Sequence, residues 1–329
     1  MGLKICVIGC GWAADAMHGP AYLKYKAENP GILFAGCCDT DVARAEAFRE
    51  KFGFERSYTD SHAMIFEQKP DAVSLLTPPE YTAQLAAPIL EAGIPLLLEK
   101  PPGMTLNDVL RLAEIARRKN TPHKVAFNRR HAPLIRKLKE LLEDEPEPIR
   151  NLRYSMLRVS RLDADFSTTA IHAIDTARFL AGADYEDVRF AYAGYPGLEK
   201  NVVDMRMECA MANGSHVTVD ICPAVGVNAE GAEINIRNKT FFLDFISNAI
   251  NPDGRLTVFK DGQVVFDMTG SADGSERFER EGFYWENKTF FDDVSAGRVP
   301  SCDLSSAVQS VMLAECIRNR ADNNKANRA

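Results

Sequence analysis

The fold is decided near the start of the chain, by the stretch Ile5-Cys6-Val7-Ile8-Gly9-Cys10-Gly11-Trp12-Ala13-Ala14. Its four apolar residues predict a buried strand, and the glycines after them predict a tight turn that opens a helix. Gly9 allows the turn, Gly11 lets backbone N–H groups approach an anion, and the small Ala14 permits close packing of helix on strand. This pattern predicts a dinucleotide site with its pyrophosphate at the helix N-terminus; a plain glycine turn is the alternative. The residues expected at this site are Gly9, Gly11, Trp12, Ala13 and Ala14.

The first half of the chain alternates short apolar runs with stretches of helical period, which is typical of parallel strands linked by crossover helices. Strands are predicted at Lys4–Ile8, Leu33–Cys38, Ala72–Leu76, Leu96–Leu98 and Lys124–Phe127. Helices are predicted near 13–27, 41–52, 61–68, 80–92, 105–119 and 132–143. Residues 1–145 are therefore expected to form an α/β Rossmann domain with a doubly wound parallel sheet. The acidic, proline-containing run 143–148 marks its end.

Residues 146–329 are expected to form an α+β domain with a large, mainly antiparallel sheet. Strand-like segments follow one another closely, and short turns such as 212–214 and 260–262 are typical of hairpins. The predicted strands are Asn151–Ser160, Val188–Tyr195, Asp204–Ala212, His216–Ile221, Glu233–Ile236, Thr240–Phe245, Leu256–Phe259 and Val264–Asp267. The predicted helices are Thr168–Leu180, Glu276–Ala296 and about 304–320, the last packing on a sheet or on the first domain, before a frayed polar tail at 321–329.

Composition excludes several functional classes. Lys and Arg number 39 against 46 Asp and Glu, so the chain lacks the basic surplus that binds nucleic acid or anionic membranes. No segment reaches 18 uninterrupted apolar residues, which argues against a membrane-spanning helix. Without a secretory leader, the eight cysteines are expected to be reduced thiols of a cytoplasmic protein. Neither cysteines nor histidines have metal-ligand spacing, so no metal site is predicted.

The second predicted strand ends at Asp39, where a carboxylate can accept hydrogen bonds from the adenosine ribose hydroxyls. That favours NAD over NADP, because a 2′-phosphate would meet a negative charge. Arg44 lies five residues on and leaves a phosphate-accepting arginine open. A role for Asp39 as the cap of the helix that begins near Asp41 is the structural alternative.

Polar residues also follow later strands of this sheet. In an open parallel sheet, ligands lie outside the carboxyl ends of the strands, so these residues are expected to line the cofactor crevice. They are Thr77 and Pro78 after one strand, Glu99 and Lys100 after the next, and Asn128 after the last.

Taken together, these motifs resemble the Gfo/Idh/MocA oxidoreductases (glucose–fructose oxidoreductase, inositol dehydrogenase and rhizopine catabolism). The resemblance rests on the glycine turn, Asp39, Thr77-Pro78-Pro79, Glu99-Lys100-Pro101 and His172-x-x-Asp175, and it runs over nearly the whole chain. It implies a Rossmann domain joined to an antiparallel sheet that binds substrate and forms oligomers. It also implies oxidation or reduction of one carbon of a sugar, polyol or related compound.

By the same resemblance, Lys100 would hydrogen-bond the reacting hydroxyl and the nicotinamide ribose, and His172 would be the general acid/base. Imidazole titrates in the range that this proton transfer needs, and a cationic Lys can stabilise a developing alkoxide. Asp175, three residues after His172, would orient the ring or the Lys; alternatively it pairs with Arg178.

Two departures from the family pattern concern the site. Many members have an Asp four residues before the His, where this chain has Thr168, which cannot act as a base. Either one of three nearby carboxylates takes the role, or Lys100 and His172 act alone, or the activity has diverged; the carboxylates are Asp163, Asp165 and Asp175. In Thr77-Pro78-Pro79-Glu80-Tyr81-Thr82, members commonly have Asn third and His sixth.

Further substrate contacts are expected from Arg130 and Tyr284, with Thr168 beside them. Asn128 and Arg130 match a family stretch that ends in Arg, although a solvated basic patch is the alternative. Tyr284 and its neighbour Trp285 lie where the family brings a helix near the pocket, although aromatic residues at helical spacing are usually core.

The leading hypothesis is an NAD-dependent dehydrogenase or reductase that acts on a sugar, polyol or sugar derivative. An enzyme that retains NAD for transient oxidation, as in glycosidic cleavage or epimerisation, and a non-catalytic NAD-binding regulatory protein are the alternatives. A methyltransferase is disfavoured by Lys100 and the large antiparallel domain. A homodimer or homotetramer through the C-terminal sheet is expected, because a helix covers only one face of that sheet.

Overall fold

The computed structural model describes residues 2–245, 249–271 and 275–325, which divide by their contacts into two units. Unit 1 comprises Met1–Asn128 and Arg277–Val311, and unit 2 comprises Arg129–Glu276 and Met312–Ala329. None of the described helices combines the length and apolarity that crossing a membrane requires. All eight cysteines lie in the described ranges and are free thiols.

The strands and helices are numbered in chain order. The strands are β1 (Lys4–Ile8), β2 (Leu33–Cys38), β3 (Arg56–Tyr58), β4 (Ala72–Leu75), β5 (Leu96–Glu99), β6 (His123–Ala126), β7 (Asn151–Leu157), β8 (Tyr185–Gly194), β9 (Val203–Met211), β10 (His216–Cys222), β11 (Ala229–Ile236), β12 (Lys239–Asp244), β13 (Arg255–Lys260), β14 (Gln263–Thr269) and β15 (Asn323–Lys325). The α-helices are α1 (Gly19–Glu28), α2 (Val42–Phe52), α3 (Ser61–Gln68), α4 (Pro79–Glu91), α5 (Leu106–Lys119), α6 (Pro133–Glu143), α7 (Ser167–Ala181), α8 (Arg277–Arg280), α9 (Phe283–Ser295) and α10 (Leu304–Arg318). A π-helix (Ala14–His18) precedes α1, and a 3₁₀ turn (Asn128–His131) follows β6.

Unit 1 is built on a parallel sheet. Within the described ranges its six strands have the order β3-β2-β1-β4-β5-β6, which is the doubly wound Rossmann order and confirms the predicted fold class. The apolar runs explain the strands, since all four residues of β4 are buried, as helices on both faces require. The order reverses between β1 and β4, so the carboxyl ends of these strands open the crevice in which such sheets bind nucleotides.

Two elements of unit 1 differ from the prediction. The helix predicted at 13–27 begins as the π-helix, whose wider turn is closed by the Gly19 N–H bonded to the Ala14 carbonyl. A single period of 3.6 cannot reveal that extra residue. The short strand β3 was not predicted, because its three residues Arg-Ser-Tyr are exposed or half-buried and form no apolar run.

The aromatic core of unit 1 depends on a late part of the chain. Phe291 of α9 lies 5.9 Å from the ring of Tyr22 and 5.3 Å from that of Tyr25, both on α1. Phe283 and Phe290 belong to the same buried cluster. Residues 277–311 therefore complete the core of the nucleotide-binding unit.

The sheet of unit 2 has nine strands in the described ranges, in the order β14-β13-β12-β11-β7-β10-β9-β8-β15. β7 and β10 pair in parallel, and the other neighbours pair antiparallel, which confirms the mainly antiparallel sheet. The predicted hairpin turns are present, with Gly214 and Gly262 at φ of +82° and +79°. Helix α7 packs against β7 and β10.

Three further segments differ from expectation. Helix α6, predicted within the first domain, makes its contacts with β12, β13 and α7 of unit 2. The helix predicted at 276–296 is two helices, because Gly282 adopts a φ of +91° between them. The expectation of a frayed tail is wrong for 323–325, which pair with β8 as β15. Residues 326–329 lie outside the described residues.

Candidate nucleotide and catalytic site

The glycine turn after β1 has the backbone that the sequence predicts. Gly9 has a φ of +94°, and a Cβ there would lie 2.4 Å from the Leu76 carbonyl oxygen, so only glycine fits. At Gly11 a Cβ would meet nothing within 4 Å, which leaves open space beside the turn. A pyrophosphate can therefore approach the backbone here, as the predicted role requires.

The residues after the turn separate into packed and exposed ones. Ala14 is fully buried, which fits the small residue predicted for close helix packing. Ala13 is half-buried, whereas the side chain of Trp12 is 68% exposed at the mouth of the turn. The exposed indole is thus available to a ligand that occupies the turn.

Asp39 joins the end of β2 to the glycine turn. One carboxylate oxygen accepts a hydrogen bond from the Cys10 N–H at 2.9 Å, and the other accepts from the Asp41 N–H at 3.0 Å. The guanidinium of Arg44 donates to the same carboxylate at 3.3 Å. The alternative that Asp39 caps the next helix is wrong, since Asp41 is the cap and accepts from the Ala43 N–H.

The end of β4 carries Thr77 and Pro78. The hydroxyl oxygens of Thr77 and Thr82 are 3.4 Å apart, and the Thr82 hydroxyl also lies 3.3 Å from the Pro78 carbonyl oxygen, to which it can donate. Thr82, which occupies the sixth position of the motif, is therefore a buried helix residue that secures the loop. Pro78 is exposed beside it.

At the end of β5, Glu99 is bonded to the residue beside it. Its Oε2 accepts from the Lys100 N–H at 3.0 Å, and its Oε1 lies 3.1 Å from Nε2 of the fully buried His18. The Lys100 side chain is half-buried, and the Lys100–Pro101 peptide is cis. Burial would raise the pKa of Glu99, but its interactions with His18 and Lys100 outweigh burial and lower that pKa.

A second carboxyl lies in the same buried region. Glu286 of α9 is fully buried, and neither of its oxygens has a hydrogen-bond partner among the described residues. Burial, together with the charge of Glu99, raises the pKa of Glu286 well above its ordinary value. Lys124, which donates to the Thr289 hydroxyl at 2.6 Å, only partly offsets this effect. Glu286 therefore keeps its proton to a higher pH than Glu99 does.

Asn128 follows β6 and is 3% exposed. Its side-chain amide donates to the Glu281 carbonyl at 2.9 Å. It thus ties the end of β6 to the segment between α8 and α9, which favours a role in shaping the crevice.

In unit 2, helix α7 carries Thr168, His172 and Asp175 at spacings of four and three residues, which places them along one side of the helix. His172 is half-buried. The Thr168 hydroxyl donates to the Asp165 carbonyl at 3.1 Å and so closes the first turn of the helix. The Thr168 hydroxyl is therefore used in this bond and does not replace an acidic side chain at this position.

Asp175 is 1% exposed and accepts two parallel hydrogen bonds from Arg130, at 2.7 and 2.6 Å. Arg178, the alternative partner, donates to Asp184 at 2.8 Å. Asp175 and Arg130, predicted separately, thus form one bidentate pair, whose carboxylate lies three residues after His172 on α7.

The other two carboxylates considered for the missing base also face arginines. Asp163 accepts from Arg161 at 3.0 Å, and Asp165 accepts from Arg318 at 2.6 Å. Interactions with Ser167 and Arg318 outweigh burial and lower the pKa of Asp165. These contacts favour structural roles for both.

Tyr284 lies in the core of unit 1. It is 2% exposed, and its hydroxyl donates to Glu28. Trp285 is half-buried beside it, at 5.0 Å between ring centroids. The burial of Tyr284 favours packing over substrate contact.

His18, Glu286 and Asn287 belong to this polar cluster but were not predicted as site residues. The sequence does hold a signal for Glu286 and Asn287. They follow Phe283 by three and four residues, so they lie on the same face of the helix as Phe283 and Phe290. Polar residues in a buried phase indicate a buried polar cluster. For His18 no local signal exists, since its partners Glu99 and Asn287 are distant in sequence.

No group of three or more His, Cys, Asp or Glu side chains placed to hold a metal occurs in the described ranges. Lys100 belongs to unit 1 and His172 to unit 2.

Known proteins are similar to this chain over lengths that range from under half of it to nearly all of it. Residues 3–127 match the Gfo/Idh/MocA model, an oxidoreductase family with an NAD-binding Rossmann fold. D-glucoside 3-dehydrogenase of Escherichia coli (strain K12) is 30% identical over 138 residues, 42% of this chain and only 38% of that protein. Myo-inositol 2-dehydrogenase of Thermotoga maritima is 26% identical over 331 residues, 94% of each chain.

Solved structures resemble both units. A levoglucosan dehydrogenase in complex with NADH and levoglucosan matches 100% of both chains with a TM-score of 0.84 and 20% identity. An oxidoreductase from Agrobacterium radiobacter, in complex with NAD⁺, L-tartaric acid and magnesium, gives 0.80 at 20% identity over 99% of this chain and 98% of that one. At such identity the likeness establishes the fold. The glycine turn and Asp39 fit the NAD-binding domain that the family model describes.

Proposed function

We propose that this protein is an NAD-dependent dehydrogenase or reductase, because residues 3–127 match the model of the Gfo/Idh/MocA oxidoreductases, a family with an NAD-binding Rossmann fold. It transfers a hydride between nicotinamide and a hydroxyl-bearing carbon of a sugar, polyol or sugar derivative. The observation that carries the proposal is the turn at Gly9 and Gly11, open on one side and joined to the Asp39 carboxylate. The related glucoside and inositol dehydrogenases support the substrate class.

The surroundings of Asp39 support NAD over NADP. Its carboxylate stands at the end of β2, where a ribose 2′-hydroxyl can donate to it and a 2′-phosphate would be repelled. Arg44, the candidate phosphate ligand, donates to Asp39 and Asp41 instead. Its charge is thereby compensated within the protein.

Lys100 and His172 supply the polar chemistry. NAD, when bound, accepts the hydride with its electron pair. As the C–H bond breaks, the neighbouring O–H loses its proton to a ring nitrogen of His172, while the Lys100 ammonium donates to the oxygen and stabilises the developing alkoxide. Reduction runs the same transfers backwards.

Asp175 acts as a positioning residue in this scheme. Its bidentate contact with Arg130 fixes the middle of α7, on which His172 lies. Thr168 closes the first turn of that helix and takes no proton. His172 therefore acts without the carboxylate that many relatives have one turn earlier.

The cofactor proposal is tested by titration with NADH and NADPH, after any co-purified nucleotide has been removed. Quenching of Trp12 fluorescence with micromolar NADH and much weaker NADPH binding are expected. Trp12→Phe should lose most of the quenching, because Trp285 is the only other tryptophan in the sequence. Its NADH affinity, followed by nicotinamide fluorescence, should stay within about threefold. Absence of binding by both nucleotides would overturn the dehydrogenase proposal.

The reaction is tested by a screen of sugars and polyols with NAD, using Lys100→Met and His172→Asn as variants. We expect both to lower kcat at least about 100-fold while NADH still binds. Nicotinamide that is reduced and reoxidised without release would point to the NAD-retaining alternative. Full activity of Lys100→Met would contradict the assigned chemistry.

We also propose that the open face of the second sheet forms a homodimer or homotetramer. Buried residues alternate with half-buried or exposed ones along β9, so one face is packed and the other is open. On the open side, Asp220 accepts from Arg153 and Arg206 at 3.1 and 2.6 Å, and Phe242 is 44% exposed. Light scattering at micromolar concentration should give a multiple of 36.5 kDa; a single species of that mass would contradict the assembly.

The cysteines support a cytoplasmic location. All eight are free thiols, and none bridges to another. Reduced thiols persist in a reducing compartment. Titration of the unfolded, untreated protein should count all eight, and a lower count would contradict this location.

A further inference from the structure

We propose that His18 is a positioning residue for Lys100: its buried ring holds Glu99, and Glu99 holds the main chain of Lys100 at the end of β5. The consequence for catalysis rests on the proposed function of Lys100. The contact itself lies wholly within unit 1 and is independent of the substrate.

The ring of His18 is fixed on both sides. Its Nδ1 lies 3.0 Å from Nδ2 of Asn287 and 3.4 Å from Oδ1 of that residue. Asn287 Nδ2 also donates to the Phe283 carbonyl at 2.7 Å, and it has a second hydrogen for the ring. The shorter contact makes Nδ1 the acceptor, so the ring proton lies on Nε2 and points to Glu99.

Glu99 then has a donor for each oxygen, His18 for Oε1 and the Lys100 N–H for Oε2. Other titratable groups that interact electrostatically in this region include Glu286 of α9, Lys124 of β6, Tyr22 of α1 and Cys10. Glu286 has no hydrogen-bond partner in the described part of the chain, and burial raises its pKa well above the ordinary value. The pKa of Glu99 is lowered, so Glu99, the carboxyl next to Lys100, is the first of the two to ionise.

The arrangement is costly for mere packing. Burying an imidazole, an amide and a carboxylate costs more than burying apolar residues of the same volume, unless each polar group is satisfied. Here all three are satisfied in one chain of contacts, and that chain ends on the backbone of Lys100. The π-helix is a second indication. It ends at His18, and π-helical turns frequently occur at functional sites.

Two substitutions of the same residue separate positioning from packing. His18→Gln places an amide N–H where Nε2 stands and preserves the donor to Glu99. His18→Asn reaches Asn287 but falls short of Glu99. We expect His18→Asn to lower kcat about 10- to 100-fold with NADH affinity within about threefold, and His18→Gln to restore kcat to within about threefold of the native enzyme.

A readout without turnover is the labelling of Lys100 by limiting acetic anhydride over a range of pH, quantified by mass spectrometry. Exposed Lys69 at the end of α3 is the internal reference. In His18→Asn, the buried Glu99 loses a donor and takes up a proton, so Lys100 loses an anionic neighbour. Its labelling midpoint should fall by roughly half a pH unit or more, and His18→Gln should leave it unchanged.

Glu99→Gln gives the same test if His18→Asn fails to fold, and Glu286→Gln is the matched control. The first should reproduce the labelling shift, and the second should not. Equal labelling midpoints and equal kcat in His18→Asn, His18→Gln and the native protein would overturn the proposal. Equal losses in both His18 variants would also overturn it, because a packing role predicts that result. If no substrate turns over, the dehydrogenase assignment fails while the labelling pattern still supports positioning.

Discussion

Glu230 in unit 2 is buried and Glu99 in unit 1 is largely buried, but the partners of these two carboxylates differ in kind. Glu230 accepts from Arg129 at 2.5 and 2.9 Å, from the Tyr154 hydroxyl at 2.6 Å and from Arg158. These arginines outweigh burial and lower the pKa of Glu230 to about 2. Glu99 has one imidazole and one backbone N–H at hydrogen-bond distance.

The difference teaches how the same group serves two purposes. A carboxylate saturated by two guanidinium groups is locked in charge and place, and it joins β11 to the chain before α6. A carboxylate held by weaker donors, beside a second carboxyl and a lysine, responds to small changes around it. Glu230 therefore belongs to the framework of unit 2, and Glu99 to the adjustable part of unit 1.

The largest expected effect is on the framework. Glu230→Ala should lower the free energy of unfolding by about 3 to 5 kcal/mol, because it leaves the Arg129 guanidinium buried without its counter-ion. Glu233→Ala, on the same strand but exposed, should cost less than about 0.5 kcal/mol. Urea unfolding measures both. Equal losses of stability in Glu230→Ala and Glu233→Ala would contradict a framework role for Glu230.

The Asp175–Arg130 pair should come next. A double-mutant cycle with Asp175→Asn and Arg130→Gln should show a coupling of about 1.5 to 3 kcal/mol in thermal or urea unfolding, since the pair is bidentate and nearly buried. The same double-mutant cycle measured on kcat should also show coupling, because loss of either partner lets α7 and its His172 shift. Additive effects would leave Asp175 as an independent group instead of the positioning residue proposed above.

The pH dependence of stability should have opposite signs in the two regions. Glu230, with its pKa lowered, stabilises above its unfolded pKa near 4.3 and loses this contribution as pH falls through about 2. Glu286, with its pKa raised, stabilises fully below that unfolded value and loses the contribution as pH rises through its folded pKa.

For Glu286 the slope should reach at most about 1.4 kcal/mol per pH unit. Thermal unfolding of the native protein and Glu286→Gln from pH 5 to 9 measures it, and the variant should gain in relative stability as pH rises. A constant difference across this range would show that Glu286 is ionised in the folded protein.

The smallest effect is expected for Glu286→Gln at pH 5. The amide resembles the neutral acid in shape, so stability should rise by no more than about 1 kcal/mol and kcat should stay within about twofold. Glu99→Gln, with the same change of atoms, should lower kcat about tenfold or more. Steady-state kinetics of Glu286→Gln and Glu99→Gln at the same pH measures this difference in kcat. A loss in Glu286→Gln as large as that in Glu99→Gln would place both carboxyls in one functional role.

The features that the sequence predicts correctly are local ones. The apolar run before Gly9 and the need for positive φ at that residue are both visible within ten residues of the chain. The 3–4 spacing likewise placed Thr168, His172 and Asp175 on one side of a helix, which α7 confirms.

The remainder depends on contacts between distant segments. Glu230 and Arg129 are 101 positions apart, and His18 and Asn287 are 269 apart, so neither pair leaves a local pattern. Charged residues are predicted at the surface unless a partner is known, because burial of an unpaired charge is costly. The roles of Lys100 and His172 stay predictions that the kinetic variants test.

The late position of α9 has a consequence for biosynthesis. The ribosome releases β1 to β6 long before it makes Phe290 and Phe291, which fill the aromatic core against α1. At about 5 to 20 residues per second, the nascent unit 1 waits roughly 10 to 30 s for α9. During that interval Tyr22 and Tyr25 lack their covering side chains, so the growing chain presents an apolar surface on which chaperones act.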